Sequence, residues 1–367
     1  MKILFIGSRL FDDVDYYLKE KGIYSILTES NKDAANLDLA DETFIVPRGM
    51  EAPMQIALAQ DVDAVVPLIG IDPPLLDVAI MKEELEGEYG IPVIASDVRA
   101  VELTSNKINT KKFFDNLEIN TPPYQIINDA SQLELEFPVV LKQGEGQGGK
   151  DIAVAQDIEE VENYLKDFDE ALCEKFIEGS EISIEVLGYN GNYIPLEPIY
   201  KGETTLEGTH PLNKTKTGPL NIEGLDSERV RETAYVIAKE LNSDGIFEMD
   251  FMYDKNNDQL YAIEINTRPN GTRYLTTATC NINSLHELVD MAIGEFNEFN
   301  VNEKSNHYFS TEIPIGNYYG PAPSHPLKSV DKDDFVVHGP EGYQRITIRA
   351  KSIEDLDNLT NELINNK

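Results

Sequence analysis

Five short apolar runs punctuate the first hundred residues: "KILFIG" (2–7), "YSILTE" (24–29), "DETFIVP" (41–47), "VDAVVPLI" (62–69) and "IPVIAS" (91–96). Amphipathic segments such as "PPLLDVAIMKEELEGEYG" (73–90) lie between several of them. Strands buried on both faces read as continuous hydrophobic runs, and parallel neighbours need helical crossovers. The alternation therefore predicts a parallel, doubly wound sheet. A helix is expected over 98–117, and the paired prolines of "TPPYQI" then mark a boundary.

Beyond that boundary the pattern changes. Residues 120–195 read as strand-rich hairpins with one helix at 157–168. Residues 196–300 hold a loop-rich stretch, a helix at 226–241, strands at 245–254 and 259–266, and a helix at 284–295. The tail contributes short strands such as "YQRITIRAK" (343–351) and a last helix at 353–366. The expected fold class is α/β and α+β. An α/β domain spans 1–100, lobes span 101–195 and 196–305, and a C-terminal segment over 306–367 packs on the core.

Composition limits the partners. With 66 acidic and 31 basic residues the formal net charge is −35, a field that repels phosphate backbones and anionic lipid and argues against nucleic acid or membrane as partner. No stretch approaches the roughly 18 uninterrupted apolar residues of a membrane span, so a cytoplasmic protein is expected. Cys173 and Cys280 lie far apart, without the spacing of a zinc site or a disulfide framework. Any anionic ligand needs a local cluster of lysines, arginines or metal to overcome the global charge.

"FPVVLKQGEGQGGKDIAVAQD" (137–157) contains Gly144, Gly146, Gly148 and Gly149. A dinucleotide fingerprint requires a helix straight after its glycines, but an alternating strand follows here. Gly-Lys-Ser/Thr is also absent, which excludes a Walker A loop. The segment reads either as a flap whose backbone N–H groups cover a triphosphate, with Lys142 at its base, or as a glycine-rich surface turn. Lys107 in "TSNKINTKKFF" supplies a second cation. "ALCEKFIEGSEISIEVL" (171–187) offers Glu174, Phe176, Ile177 and Glu181: a connecting segment able to hold adenine through main-chain groups, with a carboxylate for ribose, or else an ordinary strand end.

"GIFEMDFMYDKNNDQLYAIEINTR" (245–268) reads as a hairpin turning at "DKNNDQ". Strand side chains alternate with a period of two, so Glu248 on one strand and Glu264 and Asn266 on the other can converge on one face. These are hard oxygen ligands suited to Mg²⁺ bridging nucleotide phosphates, and Asp250 shares the parity of Glu248. Arg268 lies two residues beyond Asn266. In "YKGETTLEGTHPLNKTKTGPL" (200–220) His210, Lys214 and Lys216 form a basic cluster that either reads an acidic group or is solvated.

Taken in order, Lys107, Lys142 with its glycine-rich flap, "EKFIEG" with Glu181, Glu248, and "EIN" followed by Arg268 resemble the ATP-grasp superfamily. Its members include biotin carboxylase, the carbamoyl-phosphate synthetase large subunit, carboxyaminoimidazole ribonucleotide synthase and D-alanine ligase. The resemblance implies a pre-ATP-grasp domain at 1–100 and two α+β lobes clamping ATP, one with the flap and one with the metal hairpin. It implies ATP and Mg²⁺ (or Mn²⁺) as cofactors, Lys107 and Lys142 on the phosphates, and Gly146, Gly148 and Gly149 over them. Glu174, Phe176 and Ile177 would hold adenine and Glu181 ribose. Glu248, Glu264 and Asn266 would hold the metal, and Arg268 and Arg273 would stabilise an acyl phosphate.

The chain has one such unit and no glutaminase-like nucleophile, and its layout is similar to the lysine ligase of the pyrrolysine pathway. The expected activity is ATP-dependent carboxylate–amine ligation releasing ADP and phosphate, with small-molecule acid and amine substrates and a homodimer as a conceivable assembly. The alternatives are a bicarbonate-using carboxylase or carbamoyl-phosphate-synthetase-like enzyme, a purine-pathway carboxylase, and a non-catalytic ATP-binding protein.

Overall fold

A computed structural model describes residues 1–146, 151–206, 214–323 and 329–365. Strands β1 (Lys2–Ile6), β2 (Tyr24–Glu29), β3 (Glu42–Ile45) and β4 (Ala64–Pro67) form an all-parallel sheet in the order β3-β2-β1-β4. With the first strand inside, the chain winds one way through β2 and β3 and then returns to add β4 on the other side. The fifth apolar run does not become a strand. It touches the sheet only through a bridge between Val65 and Val93, because Pro92 lacks the N–H a ladder needs.

The helix expected over 98–117 is two helices, Val98–Ser105 and Lys107–Asn116. Asn106 separates them in an extended conformation, and its side chain accepts hydrogen bonds from the N–H groups of Ile108 and Asn109. An Asn suits this position because its amide oxygen satisfies donors that the first turn leaves orphaned. The break puts Lys107 at a helix start, where its own N–H donates to Gly144 O at 2.7 Å.

A second sheet, antiparallel, comprises β5 (Tyr124–Ile127), β6 (Val139–Lys142), β7 (Ala153–Ala155) and β8 (Ala171–Lys175) in the order β5-β8-β6-β7. The glycine-rich segment is the connection from β6 to β7, as expected for a hairpin. Gly148 and Gly149 lie outside the described residues, as does His210.

The third sheet has nine antiparallel strands: β9 (Gly179–Tyr189), β10 (Asn192–Pro195), β11 (Ile199–Thr204), β12 (Lys216–Gly218), β13 (Gly245–Asp254), β14 (Gln259–Asn266), β15 (Phe309–Gly316), β16 (Phe335–His338) and β17 (Gln344–Ala350). Its order is β14-β13-β9-β11-β12-β15-β17-β16, with β10 on β9. Helix Ser227–Leu241, capped by Asp226, buries Val230, Ala234, Ile237, Ala238 and Leu241 against Ile182, Ile184, Val186, Phe247 and Met249. The spacing of those five residues is one helical stripe, and each larger aliphatic contributes about 1.5–3 kcal/mol by leaving water.

Helix Arg273–Cys280 has no counterpart in the sequence expectations. Its "TTATC" is rich in β-branched residues, yet Thr276, Thr277 and Thr279 are buried. Thr279 satisfies its hydroxyl on Leu275 O one turn back, at 2.6 Å. Leu285, Leu288 and Val289 of helix Ser284–Ala292 pack with Ile3, Phe5 and Val66, so the parallel sheet and the later part of the chain share one core. No helix among the described residues is long and apolar enough to cross a membrane.

Candidate nucleotide and metal site

Three elements bring Lys142, Lys111 and Glu174 together. Lys142 ends β6 and donates to Glu174 Oε2 at 2.8 Å, and Lys111 lies 3.2 Å from Glu174 Oε1. Glu174 on β8 is 3% exposed. Burial pushes its carboxyl upward, but Lys142 and Lys111 outweigh burial and hold it below the usual range. Burial lowers Lys111 to about 8, against the pull of Glu174. The Glu174 side chain is thus engaged by lysines, and its main chain lies in the sheet between Tyr124 and Val140. The N–H of Phe176 is already given to Pro138 O at 3.1 Å, while Ile177 buries its side chain beside it.

Lys107 donates its Nζ to Gly146 O at 2.6 Å. Burial lowers its pKa, with Glu264 opposing. Lys107, Gly146, Glu264, Asn266, Thr104 and Asp72 surround a cavity of about 30 Å³. The structure therefore joins a lysine from a helix start, a flap glycine and the end of the hairpin, which are far apart in sequence. Glu181 on β9 accepts from Lys214 Nζ at 2.7 Å and from the Thr204 hydroxyl. Lys216, also from the basic cluster, pairs with Glu312 at 3.0 Å.

The hairpin forms as expected, and its register decides which side chains face each other. Glu248 stands opposite Asn266, and Asp250 opposite Glu264, with a bulge immediately after Asp250. Directly opposed residues of an antiparallel pair share a face at close range. Glu248 is 5% exposed, and its Oε1 accepts from Ser183 at 2.7 Å and Thr272 at 2.9 Å. Burial and neighbouring Asp250 raise its pKa. Asp250 Oδ2 accepts from Lys201 Nζ at 2.6 Å, while its Oδ1 is buried without a hydrogen-bond partner. Burial disfavours the charge on Lys201, but Asp250 and Glu248 more than compensate and keep it protonated.

An orphaned carboxylate oxygen across from a second carboxylate fits a divalent cation. Among the described residues no group of three or more His, Cys, Asp or Glu side chains is arranged to hold a metal. Mg²⁺ commonly takes only one or two carboxylates and completes its shell with phosphates and water, so the pair suits an ion arriving with a nucleotide.

Both predicted arginines are tied to the N-terminal layer. Arg268 bonds Asp72 through Nε and Asn266 Oδ1 through Nη2 at 3.4 Å. Arg273 donates to Asp13 at 2.6 Å and to Asn270 O at 3.1 Å. Sequence reasoning missed Lys111, Lys201, Asp13, Asp72 and Glu185. Lys111 is visible in "NKINTKKFF" beside Lys107, and Lys201 stands alone in the strand "IYKGET". The two aspartates carry no local signal. Glu185 is paired in register with Glu248, and burial pushes it up to about 7.

Residues 104–272 match the ATP-grasp domain model. Over 367 residues the chain is 67% identical to a carbamoyl-phosphate synthase of Methanobrevibacter smithii, covering 99% of this chain and 100% of the relative. The chain belongs to the ATP-grasp family. This ATP-grasp protein is an ATP-dependent ligase by membership, with ATP and Mg²⁺ the family's usual nucleotide and metal. Its fold is shared by biotin carboxylase of Campylobacter jejuni (TM-score 0.77, 20% identity, 99% of this chain and 90% of that one). The L-amino acid ligase of Bacillus licheniformis shares it too (TM-score 0.74, 19% identity, 99% and 96%).

Proposed function

We propose that the protein is a carboxylate–amine ligase that activates a small acid, such as an amino acid, as an acyl phosphate and releases ADP and phosphate. The supporting observation is the direction of charge. The Asp250–Glu264 pair, Lys107, Asn266 and Gly146 surround or adjoin one cavity, and Arg268 bonds the same Asn266. Mg²⁺ held by Asp250 and Glu264, with Asn266 and Glu248 close by, would supply charge neutralisation for the β- and γ-phosphates.

In this reading the chain's own groups position and neutralise. Lys107 and Lys142 hold phosphate oxygens beneath the flap that includes Gly146, Gly148 and Gly149. The main chain over Glu174–Ile177 holds adenine, and Glu181 takes ribose hydroxyls. Arg268 and Arg273 face the charge that develops when the acid oxygen attacks phosphorus. Phosphoryl transfer depends mainly on such placement.

Hydroxylamine tests the reaction type. With the right acid and no amine, a hydroxamate is expected together with ADP. AMP and pyrophosphate, or no trapping with an acid that otherwise supports turnover, would overturn the acyl phosphate. The name carried by the 67% identical relative favours a second reading, in which the acid is bicarbonate. ADP release driven by bicarbonate alone, but by no amino acid, would select it.

A further inference from the structure

A second cavity, of about 590 Å³, opens at the carboxyl ends of β1, β2 and β4. Its charged lining is Arg9, Glu29, Arg48, Asp77, Arg268 and Arg273. Four of the nine arginines in a chain of net charge −35 therefore stand around one space. Crevices at the carboxyl ends of parallel strands are where open α/β sheets take ligands. The size lies within the range of small-molecule sites.

The two N-terminal arginines differ from the other two. Arg268 and Arg273 are held by Asp72 and Asp13. Arg9 and Arg48 are exposed, and their side chains make no hydrogen bond or ion pair among the described residues; only the Arg9 main-chain carbonyl accepts, from Asn36. Glu29 does not offset them by contacting a ligand, because its oxygens already accept from Ser8 N and Oγ, Ser30 N and Asn31 N. The rest of the wall is largely apolar, including Ile6, Leu10, Leu68 and Ile69.

The lining includes neither Glu264 nor Lys107 nor Lys142, and adjoins the proposed reacting centre through Arg268 and through Ile71 and Pro73 on either side of Asp72. It is thus placed for the molecule that meets the activated acid rather than for the acid itself. Ammonia is comparable in size to a water, whose share of liquid volume is about 30 Å³, and would leave most of the space unfilled.

We infer that this cavity binds the acceptor of the ligation, an amine that also carries a carboxylate or phosphate, with the anion docked between Arg9 and Arg48 and the amine toward Arg268. The inference rests on the ligase reading. It predicts binding to the MgADP-loaded protein by L-aspartate or L-glutamate in a carboxylate arm, or by O-phospho-L-serine in a phosphate arm, measured by calorimetry. R9A/R48A should weaken whichever arm binds by at least ~10-fold, the scale of losing one charge-assisted hydrogen bond, and R9K/R48K should recover part of it. Both arginines are exposed, so folding is not at risk. Binding unchanged in R9A/R48A, or no binding in either arm, would overturn the assignment. The readout is affinity rather than turnover. A failed hydroxamate experiment would remove the acyl phosphate while leaving this result standing, and a failure here would leave trapping untouched.

Discussion

Replacing Glu264 with Gln is expected to cut turnover by at least ~10²-fold while leaving nucleotide binding measurable. The amide preserves shape and removes one negative charge directly across from Asp250. Asp250 already shares its charge with Lys201, so the variant leaves a cation on this face little net carboxylate. On the proposed reading, binding of the nucleotide draws also on Lys107, Lys142 and main-chain groups, none of which changes. Steady-state ADP release and equilibrium ATP binding separate the two effects. Near-normal turnover would remove the hairpin from the mechanism.

Glu312→Gln should lower the free energy of unfolding by about 3–5 kcal/mol, the usual cost of leaving a buried ion pair with one member. Glu312 on β15 is fully buried, 3.0 Å from Lys216 and 2.6 Å from Arg345 Nε, with His338 at 3.5 Å. Burial alone would raise its pKa, but Lys216, His338 and Arg345 hold the carboxyl far below the ordinary range. The sign of the pH dependence follows. A depressed folded-state pKa gives stability that is complete at neutral pH and is lost as pH falls below the unfolded value of about 4.5, because the unfolded chain binds the proton first. Denaturant unfolding at descending pH should show a shallower acid loss in the variant than in the parent. Equal stability and equal acid slope would sink the prediction.

The elements that sequence reasoning found were those written in local periodicity. The first four apolar runs became β1 to β4, the turn "DKNNDQ" closed β13 on β14, and the stripe of Val230 to Leu241 became a buried helix face. What it missed depended on single residues or on distance. Pro92 cost the fifth run its ladder, and Asn106 cut one expected helix into two. In the hairpin, parity alone gathered Glu248, Asp250, Glu264 and Asn266, but the pairing of Asp250 with Glu264 follows from register beside a bulge. The bulge shifts the buried parity of β14 from Leu260 and Ala262 to Ile265. The partners of Arg268 and Arg273 lie 196 and 260 residues away, beyond any pattern read along the chain.

Those two long-range pairs also bear on selectivity. An arginine facing an aspartate presents much less net positive potential than a bare one, so Asp72 and Asp13 mute the segment 268–273 in the resting protein. On the proposed reading, an entering anion competes with them, and a doubly charged phosphoryl oxygen cluster competes better than a single carboxylate. The arginines are thereby kept, on that reading, from capturing monoanionic acids before phosphate arrives. Asp72 and Asp13, on the same reading, set a charge threshold for occupying the centre.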